Sequence, residues 1–210
     1  NMAARYVAFT ELKKMGNQAI GALKSMAQDG NPRFQARAIW LMGKIAADAN
    51  SIVKQAIQNE DANIRIVGLR LARQLNNVDT LAVVAELVDD PSSQVRRECG
   101  VALNEHTSPQ AIALWAKLAA RHDGNDRWYL EALGIGARGK WDACLKEFLD
   151  QTQKPMTDPS VSDIIWRSRG ATTPGKLADI ILSGKVKEAD VPRYMRAFDF
   201  FKNSPAAEKA

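Results

Sequence analysis

The sequence predicts an all-α protein: a right-handed α-α superhelix of paired helices, with a helical segment capping its C-terminal side. Three observations lead there. Arg37, Arg65, Arg96 and Arg127 recur at spacings of 28, 31 and 31 residues. The segments they open, RAIWLMG (37–43), RIVGLRLA (65–72), RRECGVAL (96–103) and RWYLEALG (127–134), place apolar residues at three-to-four residue steps. Links rich in Asp, Asn, Gly and Pro separate them. Such a period marks one helix pair copied along the chain, each copy burying its apolar face against its neighbours.

Taken in order, RYVAFTEL (5–12) opens a degenerate first copy at Arg5. Asp29-Gly30-Asn31-Pro32 then precedes a helix in which Ala36, Ile39, Trp40 and Gly43 share a face, and Asn50-Ser51 breaks it before IVKQAIQ. The next copy opens at Asp61-Ala62-Asn63 and carries Ile64, Val67, Gly68, Leu71 and Leu75. Asn76-Asn77 turns it into TLAVVAELV. The third opens at Asp89-Asp90-Pro91-Ser92-Ser93, a run of cap residues with a proline expected in the first turn. Its face is Val95, Cys99, Ala102 and Leu103, and Ser108-Pro109 starts its second helix, IALWAKLA. The fourth runs from Asp123-Gly124-Asn125-Asp126 through RWYLEALGIGA, with Gly139-Lys140 as a breaker before WDACLKEFL. Each first helix is expected to have about four turns.

Asp90, Val95, Arg96 and the Ala102-Leu103 pair resemble the pattern of a HEAT-type repeat, over residues 30–151 and more loosely over 1–29. In that family the aligned Asp and Arg form ladders between neighbouring copies. The resemblance implies this register-setting role for Arg37, Arg65, Arg96 and Arg127. The competing role is a row of arginines facing a groove to grip phosphates.

After residue 151 the repeat arithmetic stops. Two prolines, Pro155 and Pro159, mark a break, followed by VSDIIWRSRG (161–170), TTPGKLADIILSG (172–184) and VPRYMRAFDFF (191–201). Thr172 or Thr173 can cap a helix with Pro174 in its first turn, and Gly184 can end it. The expected organisation is therefore a repeat domain over 1–151 and a helical capping segment over 152–210, in which Trp166, Tyr194, Phe198, Phe200 and Phe201 supply apolar cover.

Composition narrows the partners. Of 210 residues, 46% are apolar and 25% charged, which is globular rather than disordered. The net charge of +5 comes from 29 Lys and Arg mixed with 24 Asp and Glu, without a run of cations. A mixed solvated surface is expected before a polyanion site. No apolar stretch reaches the length of a membrane span. The chain opens Asn1-Met2 and enters a helix almost at once, so it reads as a segment of a longer protein.

No catalytic signature emerges. Cys99 and Cys144, the only cysteines, lie in apolar helical stretches outside any CxxC element and are expected to be buried. His106 and His122 have no Cys, Asp or Glu at zinc-ligand spacing and are expected at the surface. There is no phosphate loop, dinucleotide fingerprint or nucleophile elbow. No cofactor, metal or catalytic residue is expected.

Candidate binding residues follow from the architecture. Second helices of such a stack present side chains to its concave face, which nominates Lys54, Gln55, Glu86, Lys117 and Arg121. The polar-aromatic cluster HDGNDRWYLEALG (122–134) adds Asp126, Arg127 and Trp128, which could line a pocket for a planar or cationic ligand. Asp126 could equally cap its helix. Trp115, Trp128, Trp141 and Asp126 also supply the residue types of helical-repeat DNA glycosylases. That gives a nucleic-acid-binding alternative.

DGNDRWYLEALGIGARGKW (123–141), DIIWRSRG (163–170) and RYMRAFDFF (193–201) carry a narrower resemblance. They are similar to the HEAT-repeat region of large multidomain proteins of Planctomycetes, Verrucomicrobia and Bacteroidetes, membrane-bound dehydrogenase-like and haem-binding. There the region lies between a sugar-dehydrogenase-like β-propeller and a c-type cytochrome domain. The resemblance implies a non-catalytic scaffold for protein or inter-domain docking in a redox-linked parent, and a periplasmic or cell-envelope location. No CxxCH is present, so no haem ligand carries over.

Overall fold

The computed structural model describes residues 2–201, and among them every regular element is helical. The chain divides into two compact units, Asn1–Ala102 and Leu103–Ala210. The division falls inside the repeat region, and the Pro155–Pro159 break is a link within the second unit.

The first unit contains α1 (Met2–Met15), α2 (Ile20–Ala27), α3 (Pro32–Ile45), α4 (Ala49–Ile57), α5 (Ala62–Ala72), α6 (Thr80–Leu87) and α7 (Ser93–Ala102), with a 3₁₀ turn, Gly16–Ala19, between the first two. Asn31 and Asp61 lie in the expected links, whereas Asn50 and Ser51, expected as a break, are inside α4, which Asp48 starts two residues earlier. The side chains of Asn31, Asp48, Asp61 and Asp79 each accept a backbone N–H from the first turn of α3, α4, α5 and α6. Pro32 occupies the first position of α3, where its missing N–H costs nothing. Pro91 instead lies ahead of α7, outside the helix. α1 and α3, at 14 residues each, make about four turns; α5 and α7, with 11 and 10, make about three.

Within this unit successive helices pack on one another, α3 on α4 and α5 on α6 among them. α2 lies on α3, α4 on α5, and α6 on α7, while α3 meets α5 and α5 meets α7. The core holds Leu41, Val53, Ile64, Leu69, Leu71, Val84, Val95 and Cys99, all buried. Gly68 is where α4 and α5 touch. A Cβ there would stand 2.8 Å from Ile57 Cγ2, 2.9 Å from Ala56 Cβ and 3.1 Å from the Ile57 backbone nitrogen. Backbone cannot move aside as a side-chain tip can. Gly68→Val is therefore expected to lower stability by about 1–3 kcal/mol through overpacking, read as a lower urea midpoint; an unchanged midpoint would refute the close approach.

The second unit contains a 3₁₀ turn (Leu103–Glu105), α8 (Pro109–Ala120), α9 (Arg127–Gly136), α10 (Trp141–Gln151), α11 (Pro159–Arg167), α12 (Thr173–Leu182) and α13 (Val191–Ala197). Ser108, Asp126 and Asp158 cap α8, α9 and α11. Packing of α8 on α10 centres on Trp115, whose Nε1 donates to the Leu133 carbonyl at 2.9 Å and whose ring meets Trp141 edge-on at 5.7 Å. Asp142 holds the start of α12, accepting from the Ala171 and Thr172 backbone N–H groups at 2.9 Å and from Thr172 Oγ1 at 2.7 Å. Thr172 thus bonds to α10 rather than capping α12. Gly184 adopts φ 65° just past α12, the left-handed stop that glycine provides.

Lys140 is more than a breaker. Its ammonium is buried and donates to the Leu103 and Gly136 carbonyls, tying the 3₁₀ turn to the end of α9. Burial lowers its pKa from the ordinary lysine value.

Candidate binding groove

The repeat arginines divide into two kinds. Arg65 donates from Nε and Nη2 to the two Asp90 carboxylate oxygens at 2.7 and 2.8 Å, reaching one repeat ahead. Its Nη1 donates to the Asn59 and Glu60 carbonyls at 2.9 Å. Arg96 repeats that second contact 31 residues later, donating from Nη1 to the Asp90 and Pro91 carbonyls. Asn59 and Asp90 also match: each accepts the backbone N–H two residues on. The ladder expected from the sequence exists at Arg65.

Arg37 and Arg127 depart from it. Arg37 is exposed, stands 5.9 Å from the Phe34 ring centre, and joins Arg5 at an apolar groove lined by Tyr6, Phe9, Leu12 and Leu41. Arg127 is exposed and, among the described residues, reaches Glu131 in its own helix, at 3.7 Å. The cause is local: the link before Arg127 places Asp126 as the helix cap and turns the arginine outward.

The nominated binding residues lie as follows. Lys54, Gln55 and Glu86 are exposed on α4 and α6; Lys117 is exposed on α8 and Arg121 just after it. Trp128 is 72% exposed. Asp126 is committed to its cap, accepting from the Tyr129 N–H. Of the glycosylase-like set, Trp115 and Trp141 are 0% and 7% exposed, so two of its three indoles are core residues. The neighbouring histidine also corrects an expectation. His122 is buried, stacked at 6.2 Å on Tyr129, with Nε2 3.3 Å from Asp163 Oδ2, because Asp163 of α11 covers the α8–α9 link. His106 is half-buried.

Two carboxylates had no place in the sequence reading. Glu98 of α7, buried, receives Arg70 Nη2 of α5 at 2.8 Å and Nη1 of Arg73, the residue that ends α5, at 3.2 Å. Their spacings of 28 and 25 residues, close to the repeat period, are a signal that could have revealed the pair. Asp163 also takes Arg193 Nη2 at 2.7 Å, and that guanidinium lies 4.2 Å from the Trp166 ring centre. Desolvation by itself raises the Asp90 pKa, but the bonds from Arg65 and the Ser92 N–H outweigh it and hold the carboxyl below its ordinary value. Cys99 and Cys144 are buried as expected. Burial pushes both thiols up, Cys144 to about 12, which keeps them protonated and poor nucleophiles.

A groove of about 480 Å³ lies in the first unit. Helical spacing builds it from three rows: Lys24 with Ala27 and Gln28 at the end of α2, Gln35-Ile39-Met42 on α3, and Ile52-Gln55-Asn59 from α4 into its following turn. Ile39 and Met42 are buried and form the floor, while Gln28 and Gln55 stand exposed at the rim. Of the nominated residues, only Gln55 belongs to this lining. Among the described residues, no group of three His, Cys, Asp or Glu could hold a metal ion, and no helix is long and apolar enough to cross a membrane. No family model, curated protein or solved structure matches the chain.

Proposed function

We propose that the chain is a non-catalytic HEAT-like repeat scaffold that docks protein partners or neighbouring domains of a larger parent. The observation that carries this reading is how the polar side chains are used. Arg65, Arg70 and Arg73 are spent on internal carboxylates. The side chains of Lys54, Gln55, Glu86 and Lys117 stay exposed, with no hydrogen bond or ion pair among the described residues. Cations, a carboxylate and an amide left free on successive second helices suit a protein surface better than a uniform row of phosphates. The repeated link geometry at Arg65 and Arg96 supports the stacked-repeat part of the proposal. A redox-linked parent and a cell-envelope location rest on the sequence resemblance alone.

The test has two arms. A photo-reactive residue replacing Lys54 or Lys117, expressed in the source cells within its full-length protein, is expected to cross-link to a discrete protein or to another domain of the same chain. Duplex and single-stranded DNA are expected to bind weakly at about 50 mM salt, if at all. Binding that falls by a factor of 10³ or more toward about 200 mM would reveal several phosphate contacts and replace docking by nucleic-acid recognition. Failure to cross-link at both positions counts against docking.

A further inference from the structure

We propose that the groove bordered by Arg5 of α1 and Arg37 of α3 binds an amphipathic anion, an acyl chain with an oxyanion head, taken as a single molecule from solution. This goes beyond the docking reading and does not depend on it.

Apart from its two arginines the groove is apolar. Leu23 of α2 and Leu41 of α3 are buried and form its floor, while Phe9 and Leu12 of α1 and Met26 of α2 are half-buried and wall it. Its volume of about 410 Å³ lies in the range of small-molecule sites, which are mostly apolar with a few placed polar groups. From Arg5 to Leu12 the lining follows α1 for about 10 Å, a length that suits an acyl chain of medium size.

The arginines set the sign of the head. Arg5 and Arg37 come from different helices, are exposed, and make no hydrogen bond or ion pair among the described residues. No Asp or Glu belongs to the described lining. The surroundings reinforce the charge. Residues 1–45 carry seven Lys and Arg against Glu11 and Asp29, a surplus of five that equals the net charge of the whole chain. Glu11 is paired with Lys14. A guanidinium presents a planar fork of N–H donors that fits the oxygens of an anionic head. A neutral apolar ligand would leave both forks unused, a cation would be repelled, and a small inorganic anion would leave the apolar floor uncovered. A bilayer is a poorer match than a single amphiphile. Val7 and Met15 are exposed on α1, but Glu11 stands between them, one turn from each, and interrupts any apolar face laid on a membrane.

Isothermal titration calorimetry of the whole chain with decanoate, far below its micelle concentration, is expected to show saturable one-to-one binding. Hexanoate should bind at least about tenfold more weakly, because four fewer methylenes leave water. Decanol and decyltrimethylammonium keep the tail but lose or reverse the charge, and should also bind at least about tenfold more weakly. Arg5→Gln and Arg37→Gln are each expected to weaken decanoate binding about three- to tenfold, a charge-assisted bond discounted for exposure. Arg138→Gln, an equal loss of charge in the second unit, should leave it unchanged. Unaltered urea midpoints of these variants will separate lost contacts from lost folding. Vesicles of phosphatidylcholine and phosphatidylserine in equal parts are expected not to co-sediment with the chain. Absence of decanoate binding, decanol binding as tightly as decanoate, or indifference to both groove substitutions overturns the inference. Co-sedimentation with the vesicles overturns it as well, by making a membrane surface the source of the anion. Cross-linking at Lys54 or Lys117 probes α4 and α8, so the docking reading stands or falls separately.

Discussion

Trp115→Ala is expected to lower stability by about 3–5 kcal/mol. The indole is fully buried between α8 and α10, meets Trp141 edge-on, and donates to the Leu133 carbonyl. Removing it opens a cavity that the helices can close only partly, and it takes away one of the two donors to that carbonyl, which keeps the Ala137 N–H. Against a total of about 5–15 kcal/mol for an ordinary domain, that is enough to bring the second unit close to unfolding. Trp128→Ala, in contrast, should move the urea midpoint by less than about 0.5 kcal/mol equivalent, because its side chain lies in solvent. Urea titration followed by far-UV circular dichroism distinguishes the two. Similar midpoints for both variants would refute the assignment of Trp115 to the core and Trp128 to solvent.

Asp90→Ala is the second large effect, at about 3–5 kcal/mol, because it leaves the mostly buried Arg65 guanidinium without its counter-charge. Asp90→Asn should cost less, since an amide oxygen can still accept from Arg65 and from the Ser92 N–H. The pair also sets a pH dependence. The folded-state pKa of Asp90 lies below its unfolded value, so its contribution is complete above the unfolded value, near pH 4. It fades as acid carries the protein down through the folded pKa. The wild type should therefore lose stability on going from about pH 5 to pH 3 more steeply than Asp90→Asn. Parallel pH profiles for the two proteins would dismiss the ion pair as a stabilising element.

How far the sequence could be read depended on the distance between partners. The helices, their Asp and Asn caps and the 31-residue period were legible because each depends on neighbours within a few residues or one repeat. Arg65 was legible for the same reason, as its partner belongs to the next link. The Glu98 clamp was missed although its arginines recur near the repeat period, because Glu98 lies on a helix face that reads as apolar around Cys99 and Ala102. His122 was misplaced because the residue that covers it, Asp163, is 41 positions away in a region outside the repeat. Lys140 followed a glycine and read as punctuation; nothing local announces that its amine turns inward to two carbonyls.

The candidate groove was legible only in part. Gln55 could be picked from its second-helix position, but Gln28 and Gln35 come from α2's end and from the face of α3, where a search restricted to second helices does not look. Trp128 and Arg127 stood out in the sequence as candidates, yet pattern alone could not tell whether they filled the stack or left it. The cap at Asp126 decides the matter by fixing where α9 begins.

Arg65 and Arg96 each grip the carbonyls five and six residues before them. A grip of that kind measures chain length. One residue added or removed between the gripped carbonyls and the arginine would shift both acceptors out of reach. The turn around Asn76-Asn77, which joins α5 to α6, is held instead from α3 and α4, by Lys44 on the Gln74 carbonyl and side chain and by Asn50 on the Asn77 carbonyl, and has, among the described residues, no arginine gripping carbonyls five and six residues back. Natural variation in length, and any engineered tag or loop, will accordingly be tolerated at turns inside a helix pair and rejected at the links between pairs.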